Sequence, residues 1–508
     1  MDFGDVTPDK CAVILHPSGR AVTFGELDQS ANRLASYLRR HGVVAGDTVA
    51  VLMENNEHIH AVMWAARRSG LYFTLINSHL TAQEAAFIVR DCGARALISS
   101  RAMLGVCAAL EQHLPEGLPF IALLADGELE GWQRYPECVA QESIRFMPAA
   151  HEGQLLQYSG GSTGRPKGIR RPLISGHSGR VTLPTPVFAA LGVAVDSVYL
   201  SPAPTYHTAP AMWTLSAQAI GATTVMMERF DPEGALDCID RYQVTHAQFV
   251  PTMFVRMLRL PDHVRRRFDL SSLQRVIHAA APCPPIIKHQ MLDWWGPIID
   301  EYYGSSEGAG ISLIRAQEWL ERPGSVGKPI VGRPHILDDG GNELPPGRVG
   351  DVYFEGGYPF EYLNDSAATV SSRSAQGWVT VGDVGYLDDD GYLFLTDRRH
   401  NMIISGGVNV YPQEIENVLI GHPLVADVAA FGVPDDDLGQ RVMAVVELTD
   451  HTRAGEAVSA QLMSWARDRL ARHKLPRDVV FEPHLPRTDA GKLYKNRLIA
   501  KYGNSESG

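Results

Sequence analysis

Short apolar runs alternate with longer amphipathic stretches through the first half of the chain. Residues 49–53, 96–99, 120–124, 223–227 and 276–280 read as buried strands with helical periodicity between them. Strands covered on both faces carry such continuous apolar runs, and strand–helix alternation builds layered, largely parallel sheets. The first helix is marked by Thr23 and Glu26, a capping box, followed by Leu27, Ala31, Leu34, Ala35 and Leu38 at helical spacing, with Gly42 as its stop. From about residue 330 the texture changes to short strands and glycine turns, at 340–341, 347, 356–357 and 391. After a basic cluster, Arg398, Arg399 and His400, the last hundred or so residues carry their own strand, strand, helix order. Residues 425–433 and 442–448 are the strands, and Leu462, Trp465, Ala466 and Leu470 mark the helix.

The fold class expected is α/β: a large N-terminal domain of layered, mostly parallel sheets with a small β-rich subdomain, then a mobile small α+β C-terminal domain. The corresponding boundaries are 1–397 (β-rich from about 330 to 397), a hinge at 398–400, and 401–508. Length agrees, since 508 residues at roughly 150 per domain give about three units. Hydrophobic residues at 45% and charged residues at 20% are ordinary globular usage, which sets aside disorder and coiled coil. Lys plus Arg is 46 and Asp plus Glu is 58, a net charge of −12 that would repel a nucleic-acid backbone. Six cysteines without a C-x-x-C pair fit a reducing compartment and offer no zinc or disulfide framework. The opening MDFGDVTPDK lacks the order of a secretory signal, and no apolar run approaches the ~18 residues of a membrane span. The chain reads as soluble and cytoplasmic.

Residues 158–171 read Tyr-Ser-Gly-Gly-Ser-Thr-Gly-Arg-Pro-Lys-Gly-Ile-Arg-Arg, and no acidic residue occurs between Gly153 and Arg180. Glycines let successive backbone N–H groups turn inward, hydroxyls donate to oxyanions, and Lys167 adds a point charge. The stretch suits a polyphosphate; a flexible surface loop is the bland alternative. It is not a Walker loop, because Arg165 and Pro166 separate Gly164 from Lys167 and Gly168 stands where a hydroxyl should bind magnesium. Residues 160–164 fit the G-x-S-x-G pattern of a nucleophilic serine, Ser162, but so do residues 304–308, and Pro166 with Gly168 suits the following helix poorly.

The loop resembles the phosphate-binding segment of the adenylate-forming (AMP-binding) superfamily. Further matches follow in order: Pro204-Thr205-Tyr206-His207, Glu301-Tyr302-Tyr303-Gly304-Ser305-Ser306-Glu307, Val381-Gly382-Asp383, Asp397-Arg398, Ser405-Gly406-Gly407, and Leu485-Pro486-Arg487-Thr488 leading to Gly491-Lys492. Size and the lack of appended carrier domains most resemble a stand-alone acyl-CoA synthetase. The resemblance implies the adenylate-forming fold and two half-reactions. An acid is first joined to AMP from ATP, then passed to the thiol of CoA.

The resemblance also assigns residues. Lys492 would bridge carboxylate and α-phosphate. Ser159, Gly161, Ser162, Thr163, Gly164 and Lys167 would hold phosphates, with Thr163 counted among the catalytic groups. Glu307 would bind Mg2+. Ala280, Ala281 and Pro282 line adenine, Tyr303 stacks on it beside Gly304, and Ser305 or Ser306 reaches the α-phosphate. Asp383 takes the ribose hydroxyls with Arg398 nearby. His207 contacts the substrate carboxylate or gates the thiol path, Gly406 and Gly407 line the pantetheine tunnel, and His400 is the hinge position, where Asp or Lys is commoner. Lys474 and Arg477 are candidate contacts for CoA phosphates. Gly160 replaces the Ser or Thr of many relatives, removing one phosphate hydroxyl.

The acyl pocket expected from Thr208, Ala209, Met212, Trp213, Phe249, Ala280, Tyr303 and Ile311 is mostly apolar. It favours a fatty, aryl or alicyclic acid. The partners expected are that acid, ATP and CoA, with a homodimer allowed and no nucleic acid. Loading of a carrier protein is the alternative acceptor chemistry, and a serine hydrolase is the remote one.

Overall fold

The computed structural model describes residues 6–115, 120–145, 147, 149–159, 166–175, 188, 191–487 and 493–503. Its first helix, Phe24–Arg40, starts as predicted: the Thr23 hydroxyl accepts from the Glu26 amide at 3.2 Å, and the Glu26 carboxylate accepts from the Thr23 amide at 2.8 Å. Leu27, Ala31, Leu34 and Leu38 are buried along one face against the helix Ile59–Arg68. Each fully buried leucine there stabilises the packing by about 1.5–3 kcal/mol.

One sheet is parallel throughout, in the order Gln133–Arg134, Ile121–Leu124, Ala94–Ser99, Thr48–Leu52, Tyr72–Leu75, Gln154–Leu155. A second sheet is parallel through Cys11–His16, Thr223–Met227, Val198–Ser201, His246–Phe249, Arg275–His278 and Ile299–Gly304, in that spatial order. The alternation of apolar runs and helices thus produces the expected α/β layers. Parallel strands end on one edge, so the segments after Val198–Ser201, Arg275–His278 and Ile299–Gly304 lie side by side, where ligands of such sheets bind.

The β-rich region differs from a free-standing piece. Its antiparallel strands, from Ile311–Ile314 to Arg333–Leu337, continue the same hydrogen-bonded path, around a core of Ile336, Val352, Phe354 and Leu393. The strand predicted to reach residue 280 stops at His278, because Ala280 turns into the left-handed region at φ +74°. In the C-terminal part, Val425–Asp435 and Gly439–Leu448 pair as an antiparallel hairpin packed on the helix Glu456–Arg467. Leu470 lies beyond that helix but is still buried.

Polar contacts join the parts. Arg399 pairs with Asp351 at 2.8 Å and with Asp339, while Asp397 accepts from the Gln413 amide at 3.1 Å. Arg259, after the helix Pro251–Leu258, donates to the Val425 carbonyl at 3.3 Å and to that of Ala426. Among the described residues no helix is long and apolar enough to cross a membrane.

Candidate active site

The strand Ile299–Gly304 aims its side chains alternately to two faces. Tyr303 goes to one, where its phenol donates to Asp383 Oδ2 at 2.6 Å and its ring lies 6.1 Å from that of Phe354. Arg398 Nε stands 3.3 Å from the other oxygen, Asp383 Oδ1. Register explains this meeting, since Asp383 and Arg398 are directly opposed on paired antiparallel strands. Burial first, and the adjacent carboxylate second, push the Tyr303 phenol up, so it stays a proton donor.

Tyr302 goes to the other face. Its ring stacks on Trp213 at 5.2 Å, and its hydroxyl accepts from Gln248 Nε2 at 2.9 Å. Trp213 belongs to the helix Thr208–Ile220, which starts after His207 and ends at Gly221 with φ +93°. The first residue of that helix reaches the site: Thr208 Oγ1 lies 3.0 Å from Ser306 Oγ. A helix N-terminus therefore faces the end of the strand Ile299–Gly304, a disposition that favours an anion. Among the described residues Ser305 Oγ is buried without a hydrogen-bond partner, which fits a hydroxyl meant for a ligand oxygen.

The turn 305–310 is tied down from the other side. Arg171 Nη2 donates to the Ser306 carbonyl at 2.8 Å, and its guanidinium lies over the Tyr358 ring. Gly308 has φ +71°, so the backbone favours glycine, and a Cβ there would also push aside the end of the Arg171 side chain. The turn leads into the strand Ile311–Ile314, antiparallel to its predecessor. A nucleophile elbow requires a helix at that point, so the Gly304–Gly308 match is not one.

Glu307 Oε1 accepts from the Tyr362 hydroxyl at 2.9 Å, and Lys167 Nζ lies 5.3 Å from the Tyr362 ring centroid. Tyr362 sits on Glu361–Tyr362, the third strand of a small sheet whose other strands are Gln157–Ser159 and Lys167–Arg170. Ser159 and Lys167 are its closing pair, and Tyr362 links this sheet to Glu307. Gly161, Ser162, Thr163 and Gly164, like Lys492, lie outside the described residues.

The remaining predicted positions divide. Ala280 is exposed, with Ala281 and Pro282 following at the carboxyl end of the strand Arg275–His278. Its φ of +74° costs a non-glycine residue about 1–2 kcal/mol. Gly304 is paired with Ile311 across the strands. Ala209 packs toward the Trp213 cluster, whereas Met212 packs toward the core under the first sheet. Phe249 is not brought to this group. It is a core residue against Phe254 and Trp295, and its neighbour Gln248 faces Tyr302 instead. Gly406 and Gly407 form the turn between Ile403–Ser405 and Val408–Val410, and no described hydrogen bond or ion pair joins that turn to Tyr303, Asp383 or Ser306. Exposed His400 lies in the 3-10 turn Arg399–Asn401. Lys474 is engaged by Glu414 at 2.7 Å, and the Arg477 amide donates to the Val442 carbonyl.

Arg171, Tyr362, Tyr302 and Gln248 escape a reading of motifs alone. Arg171 and Tyr302 stand inside quoted motifs and carried that much signal; Tyr362 and Gln248 reach the site only through strand pairing.

Tyr303, Asp383 and Arg398 thus meet in one cluster, Thr208 reaches Ser306 from the start of its helix, and the small sheet of Ser159 and Lys167 is linked to Glu307 through Tyr362. Residues 2–361 match the family described as AMP-binding enzyme, and residues 414–492 match the AMP-binding enzyme C-terminal domain. The chain belongs to that family. It is 32% identical over 496 residues to a feruloyl-CoA synthase of Amycolatopsis sp, covering 97% of this chain and 96% of the relative. It is 30% identical over 493 residues to the fatty acid–[acyl-carrier-protein] ligase ScoC of Streptomyces coeruleorubidus, covering 95% and 92%. The structure of the anthranilate CoA ligase AuaEII in complex with anthranoyl-AMP superposes with a TM-score of 0.85 at 25% identity, covering 98% of this chain and 95% of that one.

Proposed function

We propose that this enzyme is an AMP-forming acid–thiol ligase. A carboxylate attacks the α-phosphorus of ATP and expels pyrophosphate; the sulfur of CoA then attacks the acyl carbon, AMP departs and the thiol proton is released. The observation that carries the reading is the convergence of Tyr303, Asp383 and Arg398 beside the Thr208–Ser306 pair. Asp383 accepts from the ribose hydroxyls, Arg398 steadies that carboxylate, and Tyr303 with Ala280, Ala281 and Pro282 encloses adenine. The Ser305 hydroxyl donates to the α-phosphate, while Lys167 and the loop it closes neutralise the leaving pyrophosphate. Lys492 is proposed to bridge the two reacting groups, and residues 398–400 to be the hinge that withdraws it.

Mg2+ fits at Glu307. No cluster of three or more His, Cys, Asp or Glu able to hold a metal occurs among the described residues. One carboxylate completed by nucleotide phosphates and water is how this ion is commonly held, and when bound it neutralises phosphate charge.

The acid is proposed to be apolar, and the stacked Trp213–Tyr302 pair favours a flat, aromatic one. The relatives named for feruloyl and anthranoyl groups agree with that class. Carrier loading is the second reading, favoured by the likeness to ScoC. The six cysteines are free, which suits a reducing compartment, and the cytoplasm is the proposed location. A panel of aromatic and aliphatic acids, with pyrophosphate release read alone, with CoA and with a holo-carrier, tests all of this. Absence of pyrophosphate with every acid overturns the function. Lys492→Ala is expected to abolish adenylation yet spare thioester formation from supplied acyl-adenylate, and equal loss of both removes that role.

A further inference from the structure

Beneath the adenine turn lies a buried charged pair that the reaction itself does not use. Lys288, on the helix Pro285–Trp295, is fully buried and donates from Nζ to Glu301 Oε2 at 2.7 Å. Its ammonium also lies 4.6 Å from the Trp319 ring centroid. His278 Nε2 stands 3.3 Å from the same Glu301 oxygen, without the alignment of a hydrogen bond. These three residues occupy telling places. His278 is the last strand residue before the turn 279–282, Lys288 sits in the first turns of the helix after it, and Glu301 is two residues before Tyr303.

The turn between them holds Ala280 in the left-handed region, a conformation that alanine keeps only where its surroundings over-determine it. The helix flank of the turn is tied through Lys288 to a carboxylate on the strand that carries Tyr303, and His278 on the other flank stands beside the same oxygen. We infer that Lys288 and Glu301 are positioning residues, a clamp that holds the strained Ala280 turn in register with Tyr303 so that the two walls of the adenine slot keep a fixed separation. This rests on the proposal that residues 279–282 and Tyr303 enclose adenine. Neither clamp residue touches the nucleotide. An ion pair wholly inside a core is seldom the most stable filling for its space, so its presence calls for a geometric reason.

Lys288→Met alone strands a buried carboxylate and puts folding at risk, so the informative variant is Lys288→Met with Glu301→Leu, which removes both charges together. Its apparent KM for ATP is expected to rise about tenfold, with the KM for acid and for CoA within about twofold of the parent. The affinity for ATP alone, read by calorimetry, should weaken in parallel. In an Ala280→Gly background the same double replacement should cost much less, because glycine adopts the positive φ unaided. A merely structural pair would lose the same factor in both backgrounds, or raise all three KM values equally; either result overturns the clamp. If the parent binds ATP but releases no pyrophosphate with any acid, the ligase reading fails and calorimetry still decides the clamp. If the parent binds no ATP, the clamp fails too.

Discussion

Tyr303→Phe deletes one oxygen from the proposed nucleotide site and leaves the ring in place. That oxygen donates to a carboxylate that is only 7% exposed, at 2.6 Å. A hydrogen bond to a charged group contributes about 1.5–3 kcal/mol, and the carboxylate left behind is poorly served. Arg398 replaces little of it, since its side chain is 51% exposed, its Nε is 3.3 Å away, and exposed pairs are worth about 0–1 kcal/mol. Folding stability should therefore fall by about 2 kcal/mol, seen as a lower urea midpoint at unchanged slope. ATP binding should suffer less. The freed Asp383 side chain must be ordered when the ribose docks, at about 0.5–1.5 kcal/mol, so the apparent KM for ATP should rise roughly 2- to 10-fold. The assay is ATP-dependent pyrophosphate release together with urea unfolding, for Tyr303→Phe, Asp383→Ala and the double variant. If the two losses of stability simply add, within about 0.5 kcal/mol, the pair is not coupled and the reasoning is wrong.

His60, wholly buried with neither ring nitrogen hydrogen-bonded among the described residues, is pushed down to about 3 by burial. Below its ordinary 6.5 the unfolded chain takes up a proton at His60 that the folded chain does not. Stability should therefore be lost from about pH 6.5 down to about 3, at about 1.4 kcal/mol per pH unit. His60→Leu should remove that slope, and identical pH profiles of parent and variant would contradict the assignment. Gly310→Ala would place a Cβ 2.1 Å from Phe354 Cδ1, in the ring stacked beside Tyr303. Overpacking there should cost about 1–3 kcal/mol and weaken ATP binding, and an unmoved unfolding midpoint would refute it. Arg259→Ala removes the donor to the Val425 and Ala426 carbonyls. Limited proteolysis near residues 398–400 should accelerate in that variant, and an unaltered rate would show that the contact does not hold the two parts together.

How much of this was legible beforehand follows the range of the interactions. The helix Phe24–Arg40 could be read because a capping box and an apolar stripe are local, and the parallel strands because continuous apolar runs report burial on both faces. Tyr303, Asp383 and Ser306 were found through motifs, which mark backbone segments without saying which side chains meet. Lys288 could have been noticed, since it shares the helical face of Met291 and Leu292, an odd place for an ammonium. Its partner could not, because Glu301 is reached only after the chain has turned through a helix and re-entered the sheet. Phe249 shows the converse error: strand alternation sends it into the core and brings Gln248 to the Tyr302 hydroxyl, and the apolar run around them does not reveal which face is which.

Local chemistry alone was enough to establish the layered α/β plan, the capped first helix and the likeness to adenylate-forming enzymes, because each is written in neighbouring residues. Tertiary structure decided the rest: the pairing that opposes Asp383 to Arg398, the third strand that carries Tyr362 to Glu307, the two faces of the strand Ile299–Gly304, and the charged pair under Ala280. Those contacts join residues distant along the chain, and strand register and the crossing of layers, which no local pattern encodes, set which of them touch.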